Sequence, residues 1–276
     1  MSSSSALPSN ILSIRGSHAA IHTFIGGADS AFVNSHVIET DQRLIVVDCQ
    51  YLRPQAKQFA QFVRSLEKPI EKVIITHAHP DHYFGLEQYG SAKAFASAST
   101  RKAIKEFGEA TIEAQKEFLG NQIPDAPTLV DNIQKPGVEK YDGVKIRFEE
   151  FQGVEAESIM TIRIPVLNTM ICADLLYNQT HLYLAHGHFD GWRNAVQKLT
   201  SYDGMNHFIC GHGDHAERTI IPEMVNYLDQ AEQIFQTAES PEAMKVALIE
   251  AFPDYQGQQL LDAGLPKLFE SRRATR

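Results

Sequence analysis

Residues 76 to 82 read T-H-A-H-P-D-H, directly after the apolar run Val73-Ile74-Ile75. Three imidazoles, His77, His79 and His82, and one carboxylate, Asp81, are thereby held within a turn of backbone at the end of a strand. Alternate residues leaving a strand share a face, so two of the histidines can turn toward one point. Pro80 marks a helix start that would bring Asp81 and His82 around behind them. Neutral imidazole and carboxylate are the usual nitrogen and oxygen ligands of zinc. A polar loop with no ligand would have to find partners for every one of these groups if buried. The heptapeptide therefore demands a fold that gathers strand ends around a metal site.

The rest of the chain alternates strands with helices. From about 11 to 50, β-rich segments (Ile11 to Arg15, Ala20 to Ile25, Ala31 to Glu39, Arg43 to Asp48) are separated by turn signals. Residues 54 to 67 carry Ala56, Phe59, Ala60, Phe62, Val63 and Leu66 at helical spacing. A strand at 71 to 76 leads into the histidine cluster, a short helix to about Tyr89 follows, then a strand near Ala92 to Ala96 and a helix from Ser99 to about Phe107. Residues 108 to 135 read as polar and helical, then loop-like around Pro124 and Pro127. Strands resume at 144 to 151, 158 to 164 and 168 to 173, a helix spans about 190 to 201, and a strand covers 206 to 210. Helices broken at Ser240-Pro241 and Pro253 complete the chain. The expected organisation is a disordered segment at 1–10, an α/β (α+β) domain at 11–215, and a helical extension at 216–276 packed on the same domain.

A dinuclear site needs more ligands, and these belong at the ends of later strands. Asp174 closes the apolar string I-C-A-D, and His212 follows another apolar strand between two glycines in F-I-C-G-H-G-D-H. Residues 186 to 190, H-G-H-F-D, imitate the first motif but follow a loop and lack its last histidine, so His186 and His188 fit a cleft-lining loop better than a ligand set. His181, His186 and Trp192 are the candidate substrate contacts. Cys172 and Cys210 precede the later ligand positions and read as buried small apolar residues. With Cys49 they make three cysteines, too few and too scattered for a disulfide framework.

The net charge of −9, with no run of basic residues beyond Arg272-Arg273, argues weakly against a phosphate-backbone binder, and no nucleic-acid partner is expected. No apolar run reaches the roughly 18 residues of a membrane span, and the serine-rich start lacks the charge and apolar core of a signal peptide. A cytoplasmic protein acting on a small molecule, as a monomer or homo-oligomer, is expected.

The H-x-H-x-D-H spacing, with Asp174 and His212 downstream in order, resembles the metallo-β-lactamase superfamily. That resemblance implies an αββα sandwich with metals at one edge. It implies that Asp174 bridges two divalent metal ions, zinc first, with manganese or iron as alternatives. His77 and His79 would serve the first ion, and Asp81, His82 and His212 the second. Family members usually place a histidine in G-H-T-x-G-S nineteen residues before the bridging aspartate, whereas here the string is G-V-E-A-E-S and the position is Glu155. In this respect the chain resembles the alkylsulfatase branch, in which a glutamate serves as the ligand. Glu157 is the runner-up on the same face. Ala173 stands where the family has glycine. The implied activity is hydrolysis of an ester-, lactone-, amide- or sulfate-ester-type substrate by a metal-bridging hydroxide, with Asp81 as ligand and proton shuttle. The alternative on the same scaffold is an iron-dependent oxidoreductase handling oxygen or persulfide.

Overall fold

In the central strands, consecutive apolar side chains point into two different cores. Val37, Val46 and Val73 face one cluster, whereas Ile38, Ile45, Val47 and Ile74 face another. A strand buried on both faces reads as a continuous apolar run, which is why these segments show little alternation. The computed structural model describes residues 10–274. The segment expected to be disordered, 1–10, lies outside the described residues except for Asn10.

Two sheets result. The first has seven strands in sequential order: β1 (Ile11–Arg15), β2 (Ala19–Ile25), β3 (Asn34–Thr40), β4 (Leu44–Val47), β5 (Ile70–Ile74), β6 (Ala94–Ala96) and β7 (Asn132–Ile133). It is antiparallel through β4 and parallel from β4 to β7. The parallel part needs crossovers, supplied by α1 (Arg53–Ser65) and α3 (Ala98–Leu119). The second sheet has five strands in the order β12-β11-β10-β9-β8: β8 (Gly137–Tyr141), β9 (Val144–Gln152), β10 (Ser158–Ile164), β11 (Thr169–Tyr177) and β12 (His207–His212).

Three cores define the layers. Phe59 and Val63 of α1 and Ile104 and Ile112 of α3 pack on the outer face of the first sheet. Ile21, Ile45 and Ile74 meet Phe148, Ile162 and Ile209 between the sheets. Met170, Cys172, Phe208 and Cys210 on the far face of the second sheet pack against α4 (Phe189–Lys198), α5 (Ile220–Thr237), α6 (Pro241–Ala251) and α7 (Gln258–Ala274). The arrangement is the αββα sandwich, and the C-terminal helices share the outer core of the second sheet. Among the described residues, no helix is long and apolar enough to cross a membrane.

Three differences from the sequence reading matter for the site. The helix expected from Ser99 to about Phe107 continues to Leu119, through much of the segment read as loop. Ser97 caps it, its hydroxyl accepting from the Thr100 amide at 3.1 Å. Strand β8 was not expected, because its sequence G-V-E-K-Y is mostly exposed and polar. The strand expected at 168 to 173 runs on to Tyr177, past a register shift at Ala173. Ala173 takes φ of 47°, the left-handed region that favours glycine, and this irregularity lets the chain deliver Asp174 and Tyr177 to the same edge.

Candidate metal centre

The cluster forms where β4, β5, β11 and β12 end. The loop after β5 delivers His77, and α2 (Pro80–Tyr83) begins at Pro80 with His79 as its N-cap. The side chains fall into two groups. His77, His79, Glu155 and Asp174 form one, and Asp81, His82 and His212 the other, with the ligand atoms in each within 4.8 Å of one another. Asp174 spans the two. Its Oδ1 is 3.1 Å from His82 Nε2, while its Oδ2 is 3.3 Å from His212 Nε2 and 3.8 Å from His77 Nε2. In the first group, His79 Nδ1 is 2.9 Å from Glu155 Oε1 and His77 Nε2 is 3.7 Å from Glu155 Oε2. In the second, Asp81 Oδ2 is 3.3 Å from His212 Nε2 and 3.7 Å from His82 Nε2.

The inward-facing atoms have no hydrogen-bond partner: His77 Nε2, His82 Nε2, His212 Nε2, Glu155 Oε2 and Asp174 Oδ1 are all buried and unpaired. Buried polar atoms normally find partners, so five in one place need a shared explanation. Metal ligation would supply it, since each of these atoms offers a lone pair once the imidazoles are neutral.

The outward-facing atoms are held. His77 Nδ1 is 3.0 Å from Thr76 Oγ1, His82 Nδ1 is 2.8 Å from Asp48 Oδ2, and His212 Nδ1 is 2.8 Å from the Ala31 carbonyl. A carbonyl only accepts, so His212 keeps a proton on Nδ1, and in its neutral form it presents a bare Nε2 to the cluster. Asp48 does the same for His82 and is itself fixed by the Thr76 amide at 2.9 Å and hydroxyl at 2.8 Å. Such outer partners fix ring orientation and raise ligand basicity. Gly211 has a separate reason to be glycine. A Cβ there would lie 1.9 Å from Asp174 Oδ1, so the Asp174 carboxylate occupies the space of that side chain.

Protonation follows from this crowding. Burial disfavours a charged His82, but Asp174, Asp81 and Asp48 outweigh it and raise its pKa well above normal. Burial is likewise overcome at His212, where Asp174 and Asp81 push the value up to about 10. His77 goes the other way, lowered well below normal by burial and by the neighbouring His82. Burial pushes Glu155 up to about 7 against the pull of His79. Asp174 is held well below the carboxylate range because His82, His212 and His77 outweigh its burial.

All seven residues expected as ligands are brought together. Glu155 is the carboxylate at the cluster, and Glu157 is exposed. Of the expected substrate contacts, His186 lines the cleft, its ring stacked 5.7 Å from that of His79. His181 and Trp192 do not line this cleft. His181 is buried against the C-terminal helices, its Nδ1 2.8 Å from Tyr227 Oη. The Trp192 indole donates to the Leu175 carbonyl at 2.9 Å and belongs to the outer core. His188 also turns inward, to the Val154 carbonyl at 3.0 Å. Two residues of the site were not anticipated. Asp48 sits far upstream, with no motif to tie it to the histidines. Tyr177 stacks on His212, with centroids 4.8 Å apart, and its hydroxyl donates to Asp174 Oδ2 at 2.5 Å.

The cluster opens into a cleft of about 720 Å³, in the range of small-molecule sites. Its walls come from two helices, with Phe107, Thr111, Gln115 and Leu119 on α3 and Leu260, Ala263 and Lys267 on α7.

The sequence profile described as "Metallo-beta-lactamase superfamily" matches residues 29–212. A linear primary-alkylsulfatase from Pseudomonas sp. is 35% identical over 88 residues, covering 32% of this chain and 15% of the relative. The chain thus spans less than a sixth of that relative's length. Among solved structures, a metallo-beta-lactamase from Pontibacter korlensis superposes with a TM-score of 0.64 at 15% identity, covering 79% of this chain and 99% of that one. A stereoselective inverting sec-alkylsulfatase from Pseudomonas sp. gives 0.60 at 20% identity, covering 82% and 43%. These structures share the fold.

Proposed function

Because the chain belongs to the metallo-β-lactamase superfamily, we propose that it is a metal-dependent hydrolase of small ester-, lactone-, amide- or sulfate-ester-type substrates. The observation that carries this reading is the set of buried, unpaired donor atoms in two groups joined by Asp174, at the floor of an open cleft. His77, His79 and Glu155 would hold one divalent ion, and Asp81, His82 and His212 the other, with Asp174 between them. Zinc suits such a nitrogen-oxygen set, and the three carboxylates also suit manganese or iron. Bound there, the ions would acidify water to a nucleophile near neutral pH and stabilise the charge that develops at the attacked centre.

The chain's own residues would do the rest. Asp81, at the edge of the cleft, would take the proton from the attacking water and pass it to the leaving group. Tyr177, whose hydroxyl donates to Asp174 Oδ2, would fix the bridging carboxylate in one rotamer. The outer partners of His77, His82 and His212 would keep the ligating nitrogens bare and aimed inward. The alkylsulfatase similarity and Glu155 favour sulfate esters among the substrates to be tried first.

Single substitutions His79→Ala and Asp174→Ala test this reading. Each is expected to lose bound metal and ester or sulfatase activity together. Full turnover without metal would refute it, and an iron-loaded protein that consumes oxygen without hydrolysing any ester would favour the oxidoreductase alternative.

A further inference from the structure

The two helical walls of the cleft differ in chemistry. On α3, Phe107, Thr111, Gln115 and Leu119 recur every fourth residue, so they form one stripe along the helix. That stripe is largely apolar in effect, since Gln115 is engaged with the Tyr51 hydroxyl, which donates to its Oε1 at 2.9 Å. On α7, Ala263 and Lys267 form a matching stripe, and among the described residues Lys267 is the only lysine or arginine that lines the cleft.

Lys267 differs from the other basic residues near the cleft. Arg53 is paired with Glu87 at 2.8 Å and with Asp125 at 3.2 Å, and Lys116 with Asp125 at 2.5 Å. Among the described residues no carboxylate pairs with Lys267. Its Nζ instead donates to the Tyr183 hydroxyl at 3.0 Å. An ammonium group has donors only, so the Tyr183 oxygen is the acceptor and the phenolic hydrogen is left to donate elsewhere. Two donors a hydrogen bond apart on one cleft wall suit the oxygens of an anion, and such charge-assisted bonds are among the stronger ones. The Tyr183 ring also packs edge-on against His79, with centroids 4.9 Å apart. The pair therefore stands one aromatic ring away from the metal centre.

We propose that Tyr183 and Lys267 form an anion-recognising subsite. The substrate is then an amphiphile whose oxyanion group, remote from the bond that is cleaved, docks on α7 while its apolar portion lies along the α3 stripe. This rests on the hydrolase reading for the word substrate, whereas binding at the subsite does not depend on turnover.

The test compares the metal-loaded wild type with Lys267→Met, Lys267→Arg and Tyr183→Phe. The substrates are the p-nitrophenyl ester of octanoic acid and the p-nitrophenyl monoester of suberic acid, which differ by a terminal carboxylate. In Lys267→Met the ratio of kcat/KM for the charged over the neutral ester is expected to fall roughly tenfold or more, the scale of a lost hydrogen bond to a charged group, chiefly through KM. Lys267→Arg should recover most of the loss, and Tyr183→Phe should show a smaller one. A ratio within twofold of wild type in Lys267→Met overturns the proposal. Calorimetric titration with octanoate, octyl sulfonate and octylphosphonate decides the matter even if no ester is turned over. At least one should bind wild type about tenfold more tightly than Lys267→Met, and the preferred headgroup identifies the anion. Equal affinity for both proteins in all three titrations overturns the subsite and leaves the hydrolase reading standing.

Discussion

Glu155→His removes one negative charge from the wall of the metal centre while keeping a side chain that can ligate zinc. The Glu155 oxygens lie 2.9 Å from His79 Nδ1 and 3.7 Å from His77 Nε2. Any cation held by those imidazoles therefore feels this charge at close range. At an effective dielectric constant of ~20, a unit charge at about 4 Å is worth ~4 kcal/mol, and at about 1.36 kcal/mol per pKa unit that is ~3 units. Delocalisation of charge onto the ligands reduces the expected shift to about one or two units. The direction follows from the electrostatics. A more positive centre makes the attacking water more acidic, so the acidic limb of the kcat/KM profile moves to lower pH. The assay is a pH profile of ester or sulfate-ester hydrolysis, with metal content measured on the same samples. A limb that stays in place or moves up, with metal content unchanged, refutes the idea that the Glu155 charge sets the acidity of the centre.

Asp48→Asn should weaken metal binding about 10- to 100-fold, because His82 loses the carboxylate that orients it and holds its proton on Nδ1. Competition with a chromophoric chelator measures this, and an unchanged affinity would remove Asp48 from the site. Metal uptake should release protons. His212, held at about 10, and His82, also raised, carry protons at neutral pH that must leave before Nε2 can ligate. Zinc titration at pH 7 in buffers of different ionisation heat should show about one or more protons released per ion, with affinity rising as pH rises. Proton uptake would contradict the protonation scheme. In the metal-free protein the sign reverses. The raised pKa of His212 stabilises the fold fully below its ordinary 6.5, and that contribution is lost as pH climbs through about 10. Urea midpoints of the metal-free protein should accordingly fall across that window.

Much of the centre could be read from the sequence, because its ligands sit where local pattern is strongest. His77, His79, Asp81 and His82 lie in one heptapeptide, Asp174 closes the apolar string I-C-A-D, and His212 ends an apolar strand. Glu155 is singled out only through the resemblance, as the residue at the family's nineteen-residue offset before Asp174, and burial separates it from exposed Glu157. Asp48 left no local signal, since its bond to His82 exists only once parallel β4 and β5 have paired. Tyr177 was hidden by the irregularity at Ala173, where a strand that should stop continues with its side chains re-aimed. Trp192 and His181 lie outside the cleft for a related reason. Aromatic and imidazole groups near a cleft in sequence can serve equally well in a core, and here the Leu175 carbonyl accepts from Trp192 Nε1 while Tyr227 Oη pairs with His181 Nδ1. The α3 wall of the cleft was obscured by the polar segment from 108 onward, whose helix buries only Gly108 and Ile112 beyond Phe107.

The most direct test of a two-ion centre built on Glu155 and bridged by Asp174 is elemental analysis of metal per chain in the wild type and in Glu155→Ala. Two divalent ions per chain falling to one, with hydrolysis lost in parallel, is the predicted result. A wild type that binds none, or a variant that keeps both ions and full activity, would contradict it.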